Sequence, residues 1–335
     1  MSTTAGVFSE TTLQNIRAKA EEIMMDDRTK QNFIAHVDAI KAIEKVQTAK
    51  IDMLKSKKDY TVEVSWIHNC AIVAEDCDNC SVGGNELSTN TQLYTIDKCK
   101  QTKFSVKGYK FINNDYDAQE LIAKGLLTAD KVISEAIARE FLIYLAANAG
   151  ISNWTLAGEI GTVVGNEVQI AAADFDVDAI GYIMKVYLAN HFTNPQTISG
   201  NLLYNEWQNA FFASGAFANS AGDQGRFQSL NPAWDIFTFN AAAMNTRMFG
   251  LSTGSLAAAS KTYYGEAVEE YGKEGWRWSI PSRWIDWLTL EVHMNTNCEN
   301  DIIGFDYAVK GRYGIWNNPE GCEDGNNGIL QFVAV

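Results

Sequence analysis

The last sixty residues of the chain, 276–335, constrain the fold most strongly. Residues 288–294, 304–309 and 329–333 are short runs rich in β-forming side chains, and they predict strands. The block 317–328, which leads into the last run, is built from Asn, Gly, Pro, acidic residues and one Cys, and contains no His, Ser or Lys. We interpret the segment as one that shapes and closes a sheet. It favours a structural protein over a catalyst.

Charge excludes broad nucleic-acid binding. The chain has 335 residues, enough for two or three subdomains, and its formal net charge is −14. Proteins that wrap nucleic acid need basic surface to displace counterions. Residues 1–57 carry nine basic and eight acidic side chains, a net of +1, so they are no cationic tail. If this protein lies beside nucleic acid, we expect it to do so without wrapping it, through non-specific proximity alone.

Targeting signals and membrane segments are not expected. The residues after Met1 are polar and lack the basic and apolar regions of a signal peptide. Nowhere do eighteen uncharged apolar residues follow one another, as a membrane-spanning helix needs. We expect no membrane partner, and the six cysteines are expected to be reduced thiols.

Two helices are predicted at the amino terminus. In residues 9–25, Leu13, Ile16 and Ile23 form an amphipathic stripe. Residues 30–54 contain no Gly or Pro, and their apolar side chains recur every three residues. Because such a period drifts around a helix of 3.6 residues per turn, this helix would dock on several partners or extend from its own core. An ordinary surface helix is the alternative.

Residues 58–112 predict a long β-hairpin or extended loop. Alternating or β-rich runs at 60–66, 92–96 and 103–111 predict strands. Residues 76–91 have few apolar side chains and contain a Gly-Gly pair, so we expect an exposed loop there.

The clearest predicted helix covers residues 128–149. Thr128 and Asp130 can cap its start, and Gly150 can end it in the left-handed conformation. Its predicted buried face consists of Val132, Ile133, Ala136, Ile137, Phe141, Tyr144, Leu145 and Ala149. A second helix is predicted from Asp178, as its N-cap, to Ala189.

Residues 195–260 are unusually poor in charge. The segment is rich in Ala, Asn, Ser and Phe. The centres of subunit interfaces are likewise poor in Lys, Glu and Asp and rich in aromatic residues. We expect extensive subunit contact, with a large internal core as the alternative. Its charged side chains are Glu206, Asp223, Arg226, Asp235 and Arg247.

Cysteines in the predicted loop form the first candidate metal site. Cys77 and Cys80 have the spacing of a zinc ligand pair. A structural zinc site normally supplies a second close pair, whereas Cys70 and Cys99 stand alone, and His68 adds little. Free thiols are favoured, while a zinc site and a disulfide stay open as alternatives.

Two other motifs fail as binding sites. Asp174, Asp176 and Asp178 resemble the opening of a calcium loop, but Ala179 and Lys185 stand where that loop needs Gly and Glu. The glycines of 158–165 match neither a dinucleotide nor a phosphate loop, so they predict a turn between strands. We therefore expect no catalytic residue, no metal and no cofactor.

A tryptophan-rich stretch supports a rival function. Aromatic platforms flanked by carboxylates are typical of glycosidases and sugar-binding grooves, but tryptophan is also a common core residue. The stretch has no convincing second acid pair. Its tryptophans are Trp276, Trp278, Trp284 and Trp287, and the nearby carboxylates are Glu274, Asp286 and Glu291.

The order of these elements, together with several local strings, resembles the major capsid proteins of tailed bacteriophages. The similarity is to the podovirus-like and gut-phage members of the Hong Kong 97-type family, and it covers roughly residues 58–335. The strings that carry it are ADKVISEAIAREFLIYLAANAG (129–150), IAAADFDVDAIGYI (170–183), NPQTISGNLLYNEW (194–207), MFGLSTGSLAAASK (248–261) and GRYGIWNNPEGCEDGNNGILQF (311–332).

This resemblance implies an α+β fold of the Hong Kong 97 type and no enzyme activity. It implies a helical arm at 1–57, an extended β-loop at 58–112, a peripheral domain at 113–178 plus 276–335 with its spine helix at 128–149, and an axial domain at 179–275. In the peripheral domain, the strands of the last sixty residues would return to one sheet.

The function implied is that of a virion shell. Copies of the chain would assemble in the host cytoplasm into pentamers and hexamers of an icosahedral capsid around double-stranded DNA. Scaffolding, portal and possibly decoration or head-fibre proteins would be its further partners. An encapsulin-like compartment shares the implied fold and is one alternative, and a carbohydrate-binding or glycosidase domain is the other.

Overall fold

A computed structural model describes residues 10–47, 50–52, 60–67, 89–107, 117–152, 159–192, 194–212, 228–270, 275–299, 302–319 and 327–335. Helices and antiparallel-rich sheets are mixed along the chain, which confirms the predicted α+β class. The α-helices are α1 (Glu10–Met25), α2 (Asp38–Val46), α3 (Ala118–Ala147), α4 (Val177–Ala189), α5 (Tyr204–Phe212) and α6 (Ile236–Ala241).

The strands number fifteen in the described residues. They are β1 (Lys50–Asp52), β2 (Thr61–Ile67), β3 (Thr89–Thr95), β4 (Lys98–Val106), β5 (Gly161–Val164), β6 (Glu167–Ile170), β7 (Gln196–Ser199), β8 (Pro232–Trp234), β9 (Arg247–Leu251), β10 (Leu256–Ser260), β11 (Glu269–Glu270), β12 (Trp276–Pro281), β13 (Thr289–Glu299), β14 (Ile302–Asn317) and β15 (Ile329–Ala334).

The first large sheet is organised around β14. Its described strands follow the order β10-β14-β13-β12-β11, and β4 adds to β14 beside β10. All of these pairs are antiparallel, with Val292 opposite Val309 in the β13–β14 register. Because strand side chains alternate between faces, Leu290, Val292 and Met294 all point to one face, where they are fully buried in the same core as α3.

A second sheet carries the last strand. Its described order is β5-β6-β15-β9-β7-β8, with β15 parallel to β6 and antiparallel to β9. The buried side of α4 packs with this sheet, and Tyr187 is fully buried there. The expectation that 329–333 rejoins the sheet of the preceding strands is therefore wrong. Leu330 and Phe332 of β15 lie in a second core with α4, while Ile329 belongs to the core of α3, so the chain crosses between sheets after β14.

A small sheet, β1-β2-β3, packs on the first large sheet. Val62, Val64 and Trp66 alternate inward and contact Ala257 of β10 and Trp316 of β14. The predicted strands at 60–66 and 92–96 are confirmed as this hairpin. The strand predicted at 103–111 corresponds to β4, but β4 pairs with β14 and not with β3, so it is not part of the hairpin. Of the loop expected at 76–91, Thr89 begins β3 and residues 76–88 lie outside the described part.

The amino-terminal helices dock on the chain's own core. Helix α1 confirms the prediction for 9–25, and its buried side chains share one cluster with α3. The single helix predicted over 30–54 is wrong, since a 3-10 turn, a non-helical stretch, α2 and β1 replace it. Phe33, Ala35 and Val37 are buried at alternate positions, a period that a helix of 3.6 residues per turn does not give.

Helix α3 spans 30 residues and begins ten residues before the start predicted from the sequence. Asp117 is the N-cap, and its side chain accepts a hydrogen bond from the Glu120 N–H. Asp130, expected as a cap, is buried in mid-helix. Val132, expected in the core, is 47% exposed. Gly150 was predicted to end the helix in the left-handed conformation, but its φ is not positive. Its N–H donates a hydrogen bond to the Ile329 carbonyl.

Two smaller predictions concern residues 158–189. Helix α4 confirms the second predicted helix, but its N-cap is Asp176, whose carboxylate accepts a hydrogen bond from the Asp178 N–H. The glycine-rich run forms the β5–β6 hairpin as expected. Gly165 takes a φ of +62° at its turn, a backbone conformation that glycine adopts without strain.

Candidate subunit-contact surface

A groove of about 450 Å³ lies between the carboxyl-terminal part of α3 and the start of β4. Its lining is more apolar than polar and comes from both elements. The lining residues are Lys98, Cys99, Glu140, Ile143, Tyr144, Ala147 and Asn148. Ile143 is 49% exposed, so a large apolar side chain is accessible in this groove.

A polar network holds the floor of the groove in place. Glu140 accepts hydrogen bonds from Lys100 of β4 and from Tyr313 of β14. Burial alone would raise the pKa of Glu140, but these two donors outweigh it, and the pKa lies below its ordinary value. Burial and the Glu140 carboxylate raise the pKa of Tyr313. The carboxylate is therefore ionised and binds the helix to the sheet.

The wall of the groove is built on Tyr144. Its hydroxyl donates to Asn317 Oδ1 at 2.7 Å and accepts from the Asn317 N–H at 3.0 Å. Burial raises the pKa of Tyr144 to about 12, so the hydroxyl keeps its proton at neutral pH. The Lys98 ammonium lies 5.4 Å from the centre of the Tyr144 ring. A cation and an aromatic face thus stand side by side at the opening.

Strand β4 is an edge strand in the described residues, since it pairs with β14 alone. Nine residues of free backbone edge would invite non-specific strand pairing, and lysines are a common protection against it. β4 itself contains three lysines, Lys98, Lys100 and Lys103, and no carboxylate. This edge is therefore basic within a chain of net charge −14.

The segment before β4 has the opposite charge. Residues 59–97 contain seven carboxylates and neither Lys nor Arg. The abrupt change from an acidic to a basic segment is visible in the sequence, and it is the signal that would have identified this surface. The site residues Glu140, Ile143 and Tyr144 carry no such signal, because only the pairing of β4 with β14 brings them beside the lysines.

The charge-poor segment, residues 195–260, is partly buried in the interior of the chain and partly exposed. All five residues of β10 and all four of β7 are buried, with Ala258 in the core of α3 and Ala257 beneath the small sheet. These parts correspond to the internal-core alternative. Ile236 and Phe237 of α6 are by contrast about half exposed. Residues 213–227 lie outside the described part of the chain.

The candidate metal ligands are mostly beyond what the structure describes. Cys99 is an exposed free thiol on β4. Cys70, Cys77, Cys80 and His68 lie outside the described residues, so the zinc, disulfide and free-thiol alternatives stay predictions. In the described ranges no three His, Cys, Asp or Glu side chains come together as metal ligands would. Asp174 is exposed in a short 3-10 turn before α4.

The tryptophans do not form a platform with the carboxylates. Trp278 is fully buried, and Trp276, Trp284 and Trp287 are partly buried against the same core. Trp278 lies opposite Val292 in the register, so Glu291 points to the other face of the sheet. Asp286 is exposed in the turn before β13, and Glu274 lies outside the described residues. The described part of this region offers no sugar-binding groove.

Among the described helices, none combines the length and apolarity needed to cross a bilayer.

No protein-family model matches the chain, and no curated protein matches it. Solved structures do match. One is titled the capsid of a native GTA particle, with 10% identity and a TM-score of 0.46 over 83% of this chain and 86% of that one. Another is the bacteriophage PhiM1 mature capsid, with 11% identity and a TM-score of 0.45 over 83% of each chain. A third is from Mycobacterium phage Cain, with 10% identity and a TM-score of 0.43 over 95% and 97%.

Proposed function

We propose that this chain is the structural subunit of a tailed-phage capsid, a major capsid protein of the Hong Kong 97 type that assembles with copies of itself. The observation that carries the proposal is the charge-matched contact surface. A basic edge strand and a largely apolar groove lie on the same chain as an acidic segment, residues 59–97. A surface complementary to another part of the same chain is what head-to-tail assembly requires.

The acidic partner of the groove is residues 68–88 of a second copy. This stretch carries four carboxylates, no Lys or Arg, and the apolar run 71–74. The charge of this stretch is opposite to that of Lys98 in the groove, and its apolar run is of the same character as Ile143 and Ala147 in the groove lining. Opposite charges steer such contacts and suppress wrong registers. Each contact is weak, but several per subunit add up in a closed shell.

The finer assignment follows from the sequence resemblance. Pentamers and hexamers of the chain would form an icosahedral shell around double-stranded DNA, assembled in the host cytoplasm. Scaffolding, portal and decoration proteins would act with it. The net charge of −14 supports a wall that DNA does not adhere to, because like charges repel. The proposed arm, extended loop, peripheral and axial domains keep the bounds 1–57, 58–112, 113–178 plus 276–335, and 179–275.

Electron microscopy and sedimentation velocity of the purified full chain test the proposal. Closed or polymorphic shells of uniform curvature are expected. Ile143→Glu places a carboxylate in the groove and should block their formation. Val132→Glu is the matched control, because Val132 lies on the same helix, is about equally exposed and does not line the groove.

A persistent monomer of the unaltered chain would overturn the capsid proposal. Binding of that monomer to polysaccharide would favour the carbohydrate-binding alternative. Shells that enclose a cargo enzyme and no DNA in the native source would favour the encapsulin-like alternative. If Ile143→Glu assembles as well as Val132→Glu, shell formation stands but the groove is not its contact surface.

A further inference from the structure

The first large sheet has two free edges of opposite charge. Within the described residues, β4 forms one edge because it pairs with β14 alone, and β11 forms the other because it pairs with β12 alone. β4 carries three lysines and no carboxylate, whereas β11 consists of Glu269 and Glu270, both exposed. The free edge of a sheet can pair with another chain, so both edges are candidate contact surfaces.

One row of side chains joins the two edges. Across β4, β14, β13, β12 and β11, the row consists of Lys103, Ala308, His293, Arg277 and Glu269, each directly opposite the next. Residues directly opposite each other in a sheet lie on the same face. The row therefore runs along one face from a cation at the β4 edge to an anion at the β11 edge.

The two ends of the row are accessible. Lys103 and Glu269 are both exposed, and among the described residues neither of them forms an ion pair. Because side chains alternate along a strand, Lys103 points to the other face of β4 from Lys98, which lines the groove. The row is thus a surface separate from the groove, and both of its end charges are available to another molecule.

We propose that the β4 edge of one copy contacts the β11 edge of the next, with Lys103 paired to Glu269 of the partner subunit. This contact rests on the proposed self-assembly and gives it a second surface. Since the two edges differ, the contact is head-to-tail and repeats from copy to copy. Opposite charges favour this orientation, whereas two β4 edges would bring lysines together and two β11 edges would bring carboxylates together.

Zero-length carbodiimide cross-linking of the full-length chain tests the contact. Within one copy, Lys103 and Glu269 are separated by four strand spacings, or about 19 Å, too far for an amide bond to form between them. A link between these two residues must therefore join two copies. Isotope-labelled and unlabelled chains are mixed before assembly, and mass spectrometry should recover Lys103–Glu269 links with one labelled and one unlabelled peptide.

Charge reversal gives a second measurement. Lys103→Glu and Glu269→Lys each place like charges at the contact, so each should raise the critical concentration for assembly about fivefold or more. The double variant exchanges the charges and should return close to the parent. Glu270→Lys is the matched control, because Glu270 is also exposed on β11 but points to the opposite face. Lys103→Glu should not relieve the effect of Glu270→Lys.

The outcomes separate this contact from the capsid proposal. Shells that form without the link, and form equally well with Lys103→Glu, would overturn the contact and leave the capsid proposal standing. A double variant that assembles no better than the single variants would also overturn the contact. The mixed link in small oligomers that never close would support the contact and count against the shell.

Discussion

Asp130, in the middle of helix α3, accepts a hydrogen bond at 2.9 Å from the backbone N–H of Arg283. The two residues are 153 positions apart in the chain. The bond fixes the turn between β12 and β13 to α3, and Ser282 Oγ adds a second bond to the same carboxyl at 2.6 Å. Since Asp130 is buried, it acts as a tertiary anchor, which explains its place inside a helix that it was expected to begin.

Removing this anchor should destabilise the chain. Asp130→Ala removes the carboxyl that accepts hydrogen bonds from the part-buried Arg283 N–H and from the Ser282 and Ser134 hydroxyls, and such losses cost about 1–3 kcal/mol. We therefore expect the free energy of unfolding to fall by about 2 kcal/mol in urea denaturation. Thr128→Ala, an exposed change on the same helix, should stay within about 0.5 kcal/mol. Equal stabilities of the two variants would contradict the role of Asp130.

The same carboxyl should make stability depend on pH. Burial raises the pKa of Asp130 above its ordinary value of 3.8, with the hydrogen bonds opposing it. The folded chain therefore holds this proton more tightly than the unfolded chain. Stability must then fall as pH rises from about 3.8 through the raised pKa. The advantage of the parent over Asp130→Ala should be larger at pH 4 than at pH 7, measured by denaturation at both.

Glu140 should show the opposite dependence. Its pKa is lowered, because Lys100 and Tyr313 outweigh the effect of burial. The stability it supplies is present above its ordinary pKa of 4.5 and is lost as pH falls through the lowered value. Glu140→Gln should cost about 1–2 kcal/mol at pH 7, allowing for solvent screening, and less on acidification. A cost that grows as the pH falls would contradict this sign.

Two glycines should respond oppositely to alanine. A Cβ atom at Gly250 would lie 2.3 Å from the Tyr187 ring, which is fully buried and whose hydroxyl is bonded to Thr197. Gly250→Ala should therefore cost about 1–3 kcal/mol or more. Gly181 lies on the exposed side of α4 with no atom near its Cβ position, so Gly181→Ala should stabilise by about 1 kcal/mol. Thermal unfolding measures both, and a neutral Gly250→Ala would show that the core can adjust.

Assembly should weaken with salt if the basic edge and the acidic segment meet. At about 1 M salt the screening length is roughly 3 Å, against about 10 Å at 0.1 M. The critical concentration for shell formation should therefore rise between these conditions, as measured by sedimentation. A critical concentration that falls with salt would indicate that apolar contacts dominate the interface.

Local sequence patterns predicted helices and strands correctly where a single helical or strand periodicity ran through the whole segment. The stripe of α1, the alternation of β2 and the Gly165 turn all appear as expected, because each is set by neighbours within a few residues. The prediction over 30–54 was wrong, since alternate burial of Phe33, Ala35 and Val37 is hidden inside a three-residue repeat. The predicted start of α3 was also wrong. Asp130 and Thr128 are good capping types, and only tertiary burial distinguishes an anchor from a cap.

The sequence by itself determined the α+β composition, the acid-to-lysine change before β4 and the strands of the last sixty residues. Tertiary structure alone decided where those strands go. β13 and β14 pair with each other, whereas β15 joins β6 and β9 in the second sheet. It also decided that Glu140, Ile143 and Tyr144 line one groove with Lys98. Strand partners and groove walls depend on contacts between residues distant in the chain, and no local periodicity encodes those contacts.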